Sequence, residues 1–159
     1  MGAAVMASEA FGASYLQERL LREFVLAEHL GLRVELADDT DLVLHAPLAA
    51  NANYKGTAFA GSLFSVSVLT GWAWLTRYLA RESCAADVVI QESRIEYLLP
   101  VRGDFRAYLC LPPAAEVERF RRMLRRAARG RLGLRVEIRE GGRVAAQFAG
   151  LYAAAMRPG

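Results

Sequence analysis

Apolar and polar residues alternate with period two in three stretches of this chain, and a turn signal divides each stretch. That period belongs to strands with one face buried and the other in water. In the first stretch Leu32, Val34 and Leu36 oppose Arg33 and Glu35. Asp38-Asp39-Thr40-Asp41 then turns the chain into Leu42–Ala46, which Pro47 closes. In the second, residues 87–99 run extended, with Ile95, Tyr97 and Leu99 opposing Arg94, Glu96 and Leu98. Pro100 ends that run, Arg102-Gly103-Asp104 turns it, and Phe105, Ala107, Leu109 and Leu111 alternate with Arg106, Tyr108 and Cys110. In the third, Leu134, Val136 and Ile138 oppose Arg135, Glu137 and Arg139, Gly141-Gly142 supplies the turn, and residues 144–156 return. Three hairpins, and so six antiparallel strands, are predicted.

Helical spacing fills the intervals. Leu16, Leu20 and Phe24 share one face, Ser14 and Gln17 have the spacing of a capping box, and Gly31 is the stop, which predicts a helix over residues 14–30. Pro112-Pro113 open another helix, with Val117, Phe120, Leu124 and Ala127 as its apolar stripe and Gly130 as its stop. Glu116 and Glu118 lie early in it and Arg125, Arg126 and Arg129 late, as the helix dipole favours. Between them, residues 56–76 carry no charge at all. About 20 apolar residues suffice to cross a bilayer. Here Thr57, Ser62, Ser65, Ser67, Thr70 and Thr76 interrupt the run, with Gly61 and Gly71 as further weak points. The segment reads instead as a helix buried on nearly all sides, from Ala60 or Ser62 to about Arg81, with Trp72 and Trp74 in the core. A helix so apolar needs an enclosing sheet. The order helix, hairpin, long helix, hairpin, helix, hairpin therefore predicts an α+β fold, with six antiparallel strands curled around the central helix. Such a sheet keeps a free edge that a twofold partner can extend, so a homodimer or higher homo-oligomer is expected.

Composition narrows the class. A chain of 159 residues with 54% hydrophobic content supports one core. We read residues 14–157 as a single domain, preceded by a flexible segment over residues 1–13. That segment lacks a basic region and carries Glu9, so no secretory signal is expected. Cys84 and Cys110 show no metal or redox spacing, and a reduced, cytoplasmic protein is expected. His29 and His45 stand alone, so no metal site is expected. Lys55 is the single lysine among 20 basic residues. Phe120 is the only aromatic residue among the arginines from Arg119 to Arg131, and it belongs to the apolar stripe. The arginines read as a solvated helix face, and neither a nucleic-acid partner nor a membrane is expected.

Candidate chemistry concentrates where a strand gives way to the central helix: Asn51-Ala52-Asn53-Tyr54-Lys55-Gly56-Thr57-Ala58-Phe59-Ala60-Gly61-Ser62-Leu63. Small residues there let a ligand approach the backbone closely. The unpaired N–H groups of a helix's first turn can polarise a carbonyl oxygen or hold an oxyanion. The same glycines serve equally well for a tight turn and close packing.

The run NANYKGTAFAGSLFSVSVLTGW, followed by DVVIQESRIEYLLPVRGDFRA, resembles the thioesterase domain at the C-terminus of some bacterial GNAT acetyltransferases, a hotdog-superfamily domain. The similarity extends from the first helix through the last hairpin; the chain has no acetyltransferase region, so a stand-alone version is expected. The resemblance implies a sheet wrapped around the long helix, dimers, and a site at the dimer interface where the acyl chain enters beside the helix. It implies hydrolysis of acyl-CoA or acyl-carrier thioesters, with coenzyme A present only as part of the substrate and no other cofactor. Asn51, Asn53, Lys55, Gly56, Thr57, Phe59, Gly61 and Ser62 match its motif. The family pattern has two adjacent glycines after the phenylalanine; here Ala60-Gly61 stands there, and Gly61 keeps the position of the oxyanion donor. Many hotdog thioesterases carry a carboxylate about two turns into the central helix, where this chain has Ser65-Val66-Ser67-Val68. The expected catalytic group is therefore Asn51 or Asn53 positioning water, Thr57 or Ser62 relaying a hydrogen bond, Gly61 as oxyanion donor and Glu92 as the acidic candidate. Lys55, Gly56, Phe59 and Arg102 are the expected substrate-binding residues, Arg102 for phosphate. A non-catalytic acyl-binding module is the alternative.

Overall fold

A computed structural model describes residues 10–158; residues 1–9 of the expected leading segment lie outside the described residues. The elements are α1 (Ala13–Glu23), α2 (Val25–His29), β1 (Arg33–Ala37), β2 (Leu42–Ala46), α3 (Leu48–Asn51), α4 (Ala60–Arg81), β3 (Ala86–Tyr97), β4 (Phe105–Cys110), α5 (Ala114–Ala127), β5 (Arg129–Glu140) and β6 (Arg143–Met156). The strands form one six-stranded sheet in the order β1-β2-β4-β5-β6-β3, antiparallel throughout. The predicted α+β architecture is the observed one.

The sheet wraps α4, which packs against β2, β3, β4, β5 and β6. Its uncharged run has a physical account: Leu63, Val66, Leu69, Ala73 and Leu75 are buried around its circumference. The Ser67 and Thr70 hydroxyls are spent on the helix itself, donating to the Leu63 and Val66 carbonyls. Among the described residues no helix is long and apolar enough to cross a membrane. The one buried cation of α4, Arg77, donates from Nε to the Phe11 carbonyl at 2.8 Å and pairs with Asp39. Helix and sheet are joined where Tyr152 of β6 donates to the Val68 carbonyl at 2.8 Å. A Cβ on Gly71 would lie 2.3 Å from that hydroxyl and 2.5 Å from Cζ. Gly71→Ala is therefore expected to destabilise by about 1–3 kcal/mol through overpacking, despite alanine's better helix propensity. Tyr152→Phe, whose acceptor stays engaged in the helix ladder, should cost only about 1 kcal/mol. Thermal unfolding of both variants checks the order.

Several local expectations are corrected. The first helix is two pieces, because Phe24 adopts an extended conformation (φ −133°, ψ 107°) and its ring packs edge-on against Trp72, 4.7 Å between centroids. Ser14 and Gln17 form no capping box. The helix starts one residue earlier, with Gly12 at its cap and no side-chain bond. Gln17 instead serves the edge of the sheet: its Nε2 donates to the Leu32 carbonyl at 3.0 Å and its Oε1 accepts the Val34 N–H at 2.7 Å. Leu36 faces water, because a bulge between Val34 and Leu36 shifts the register and hands the buried position to Ala37. Gly31 ends α2 with φ +63° as expected. Gly130 does not end α5; Ala128 takes the left-handed turn at φ 55°, and Gly130 lies inside β5 under the Phe120 ring.

Candidate active site

Asn51 is the last residue of α3, and its side chain is 2% exposed. Both amide hydrogens are committed, to the Leu30 carbonyl at 2.9 Å and the Pro47 carbonyl at 2.8 Å. Its Oδ1 is buried without a partner among the described residues. Its backbone carbonyl accepts the Phe59 N–H at 2.7 Å. Asn51 thus ties the end of α2 and the start of α3 to the residue that precedes α4. Asn53 is spent on its own turn: Oδ1 accepts the Lys55 N–H at 2.8 Å and the Thr57 N–H at 3.3 Å, while Nδ2 donates to Thr57 Oγ1 at 3.0 Å. The turn needs Gly56 for its left-handed φ of +74°, and open space surrounds that glycine. The loop then bonds to the segment that follows β3, the Ala58 N–H donating to the Val101 carbonyl at 2.8 Å.

These restraints deliver the amino end of α4 to the surface. Phe59 is the cap, in an extended conformation with no side-chain bond to the helix. Its carbonyl accepts the N–H groups of Ser62 and Leu63. The N–H groups of Ala60 and Gly61 have no partner among the described residues. Two adjacent donors at the positive end of a helix dipole form a ready seat for a developing oxyanion. The Phe59 ring lies across Gly61, where an added Cβ would meet its Cε1 at 2.3 Å. The ring does not plug the site, because Phe59 is 57% exposed and Ala60 is exposed as well. Beside the donors opens a groove of about 260 Å³, lined by Ala58, Ala60, Leu63 and the stretch from Tyr97 to Val101. Tyr97 reaches over this first turn and donates to the Ala60 carbonyl at 3.1 Å. Sequence reading did not single Tyr97 out; its place beside Ile95 in the alternation already put it on the helix side of the sheet.

The other candidates fall as follows. Ser62 is buried, and its hydroxyl has no partner among the described residues. Thr57 receives the Asn53 amide. Lys55 is exposed, its Nζ 5.4 Å from the centroid of the Tyr54 ring. Arg102 is exposed one residue beyond Val101, and its N–H donates to Glu140 Oε1 at 3.0 Å. Asn51, Asn53, Gly56, Thr57, Phe59, Gly61, Ser62 and Arg102 are thus held at one end of the molecule. Glu92 is not: it is exposed on β3 beside the bulge at Gln91, five residues from Tyr97 and so roughly 16 Å along the strand. Among the described residues no His, Cys, Asp and Glu cluster could hold a metal. Burial pushes both thiols, Cys84 and Cys110, up.

A six-stranded antiparallel sheet wrapped around one long helix, with that helix's amino end bare, defines a hotdog fold of the thioesterase class. Residues 13–156 match the family described as "Putative thioesterase (yiiD_Cterm)", and the chain belongs to it. Among solved structures it is similar to a protein of unknown function from Chlorobaculum tepidum, with 27% identity over 91% of this chain and 94% of that one and a TM-score of 0.85. It is also similar to a "putative thioesterase" from Shewanella oneidensis, with 26% identity over 90% and 96% of the two chains and a TM-score of 0.78. A Pseudomonas aeruginosa protein described as "probable thioesterase" shares the fold at 21% identity over 91% and 95%, with a TM-score of 0.75.

Proposed function

We propose that this protein hydrolyses acyl thioesters of coenzyme A, or of an acyl carrier, as a cytoplasmic homodimer. The observation that carries this reading is the pair of open N–H groups on Ala60 and Gly61 at the mouth of an apolar groove. Water adds to the thioester carbonyl, the oxygen takes negative charge against those donors, and the carbon–sulfur bond then breaks to release the thiol. Asn51 is committed to two carbonyls and Asn53 to its own turn, so neither amide is free for water, and the Ser62 hydroxyl, in the first turn of α4, is the polar group left to position it. Lys55 and Arg102, both exposed at this end, favour the phosphates of coenzyme A.

The dimer has its own support. Sheets leave two edges, and the Gln17 amide occupies part of the β1 edge. At the opposite edge β3 is long and largely exposed, and Val89, Tyr97, Leu98 and Leu99 show large apolar surface on it and just beyond it. A second copy pairing there covers this surface and completes the groove beside Tyr97. No carboxylate lines the groove, which favours a second reading, a module that binds acyl thioesters without cleaving them.

One experiment separates these readings: free thiol release from acyl-CoA and acyl-carrier thioesters of graded chain length, with mass measured by light scattering on the same sample. Turnover by a dimer is expected. Tight binding without thiol release would replace the enzyme by the module, and a monomer that turns over would remove the interface site.

A further inference from the structure

The groove beside α4 is lined by apolar side chains with a single exception, the phenol of Tyr97; Ala58, Ala60, Leu63, Leu98, Leu99, Pro100 and Val101 supply the rest of the wall. A lone polar group in an apolar cleft is ordinarily there to orient what enters. Its present hydrogen bond is one it can give up. The Ala60 carbonyl that accepts it at 3.1 Å begins the α4 ladder and is engaged by the helix as well. Moving the phenol's proton to another acceptor therefore leaves no buried group orphaned. The Tyr97 ring is half-exposed, and its hydroxyl is bonded at Ala60, the residue that carries one of the two open N–H groups.

We propose that Tyr97 is a catalytic residue of the site: on substrate entry its hydroxyl leaves the Ala60 carbonyl and becomes a third hydrogen-bond donor to the thioester carbonyl oxygen. This rests on the thioesterase reading above and supplies a group the missing carboxylate does not. The phenol keeps its proton throughout. Water forms the new carbon–oxygen bond, and the carbonyl π pair moves onto the oxygen that Tyr97, Ala60 and Gly61 face. That pair returns as the carbon–sulfur bond breaks, and the thiolate departs with the bonding electrons. One proton of the water ends on the thiol and the other in solvent, as the acid product ionises. Burial pushes the Tyr97 phenol up, which keeps it a donor across the neutral range. No other titratable side chain lines the groove.

The test is Tyr97→Phe in the full chain, assayed by thiol release alongside the wild type. A kcat lowered by roughly 100-fold with KM within about twofold is expected, the size of a lost oxyanion donor. The ring stays in place, so thermal unfolding should barely move. Incorporation of 3-fluorotyrosine at position 97 gives a second readout that a purely structural role would not shift. A more acidic phenol loses its proton sooner, so the alkaline limb of the kcat profile should move to lower pH. A wild type that releases no thiol from any substrate overturns the thioesterase reading, and this assignment with it. A wild type that turns over while Tyr97→Phe keeps kcat within threefold, or while the fluorinated protein keeps the wild-type profile, overturns the role of Tyr97 alone.

Discussion

Gly61→Val is expected to lower kcat/KM for thioester hydrolysis by about 100-fold, equivalent to some 2.7 kcal/mol of transition-state stabilisation. The loss does not come from removing a donor, since valine keeps its N–H. It comes from geometry. A Cβ at position 61 would sit 2.3 Å from Cε1 and 2.9 Å from Cζ of Phe59, and a β-branched side chain adds two further atoms in that direction. Either the ring swings out or the first turn of α4 tilts, and oxyanion donors lose their value within a fraction of an ångström. Phe59→Ala removes the clash in either case, so Gly61→Ala combined with Phe59→Ala should recover most of the activity that Gly61→Ala loses. A double variant that stays slow would place the loss outside this contact. Steady-state kinetics on the three variants, with unfolding temperatures as a control, reads the outcome.

Asn51→Ala is expected to be the most damaging single change to stability at this end of the molecule, at about 3 kcal/mol. Two carbonyls, of Leu30 and Pro47, would lose their donors in a buried setting, and a small cavity would open. For a domain of this size that amounts to a fall in unfolding temperature of roughly 6–12 °C. Activity should fall as well, because the Asn51 carbonyl holds the Phe59 N–H and so places the start of α4. Asn51→Asp makes a sharper comparison. A carboxylate in that pocket would face two carbonyl oxygens with no hydrogen to offer, so it should destabilise at neutral pH and recover partly on acidification, when protonation restores one donor. Thermal melts across pH read this directly.

The fold was legible because its information is local. Alternation along residues 32–36, 105–109 and 134–138 identifies strands and, with one exception, their buried faces. The uncharged run at residues 56–76 announces a helix that must be enclosed. The exception is instructive: the bulge that turns Leu36 outward depends on how β1 registers against β2, and nothing in the spacing of β1 records it. Phe24 breaks a helix that its own periodicity would continue, because Trp72, far along the chain, offers its ring a better contact than another helical turn does.

The candidate site was legible in outline, through Gly56, Phe59, Gly61 and their neighbours, but not in its division of labour. Asn51 and Asn53 look equivalent as potential water-positioning amides. The structure commits one to clamping two carbonyls and the other to shaping its own turn. Glu92 looked like the nearest acid, yet it stands well up the strand from the helix end, whereas Tyr97 arrives there because β3 runs back along α4.

By itself, then, the sequence determined the kinds of element, their order and the need for a sheet around α4, since hydrophobic period and turn chemistry act over a few residues. Which polar groups are already satisfied, and which remain open to a ligand, was decided only when strands and helix came together. Hydrogen bonds between residues tens of positions apart depend on register and on distances in space, and a one-dimensional pattern carries neither.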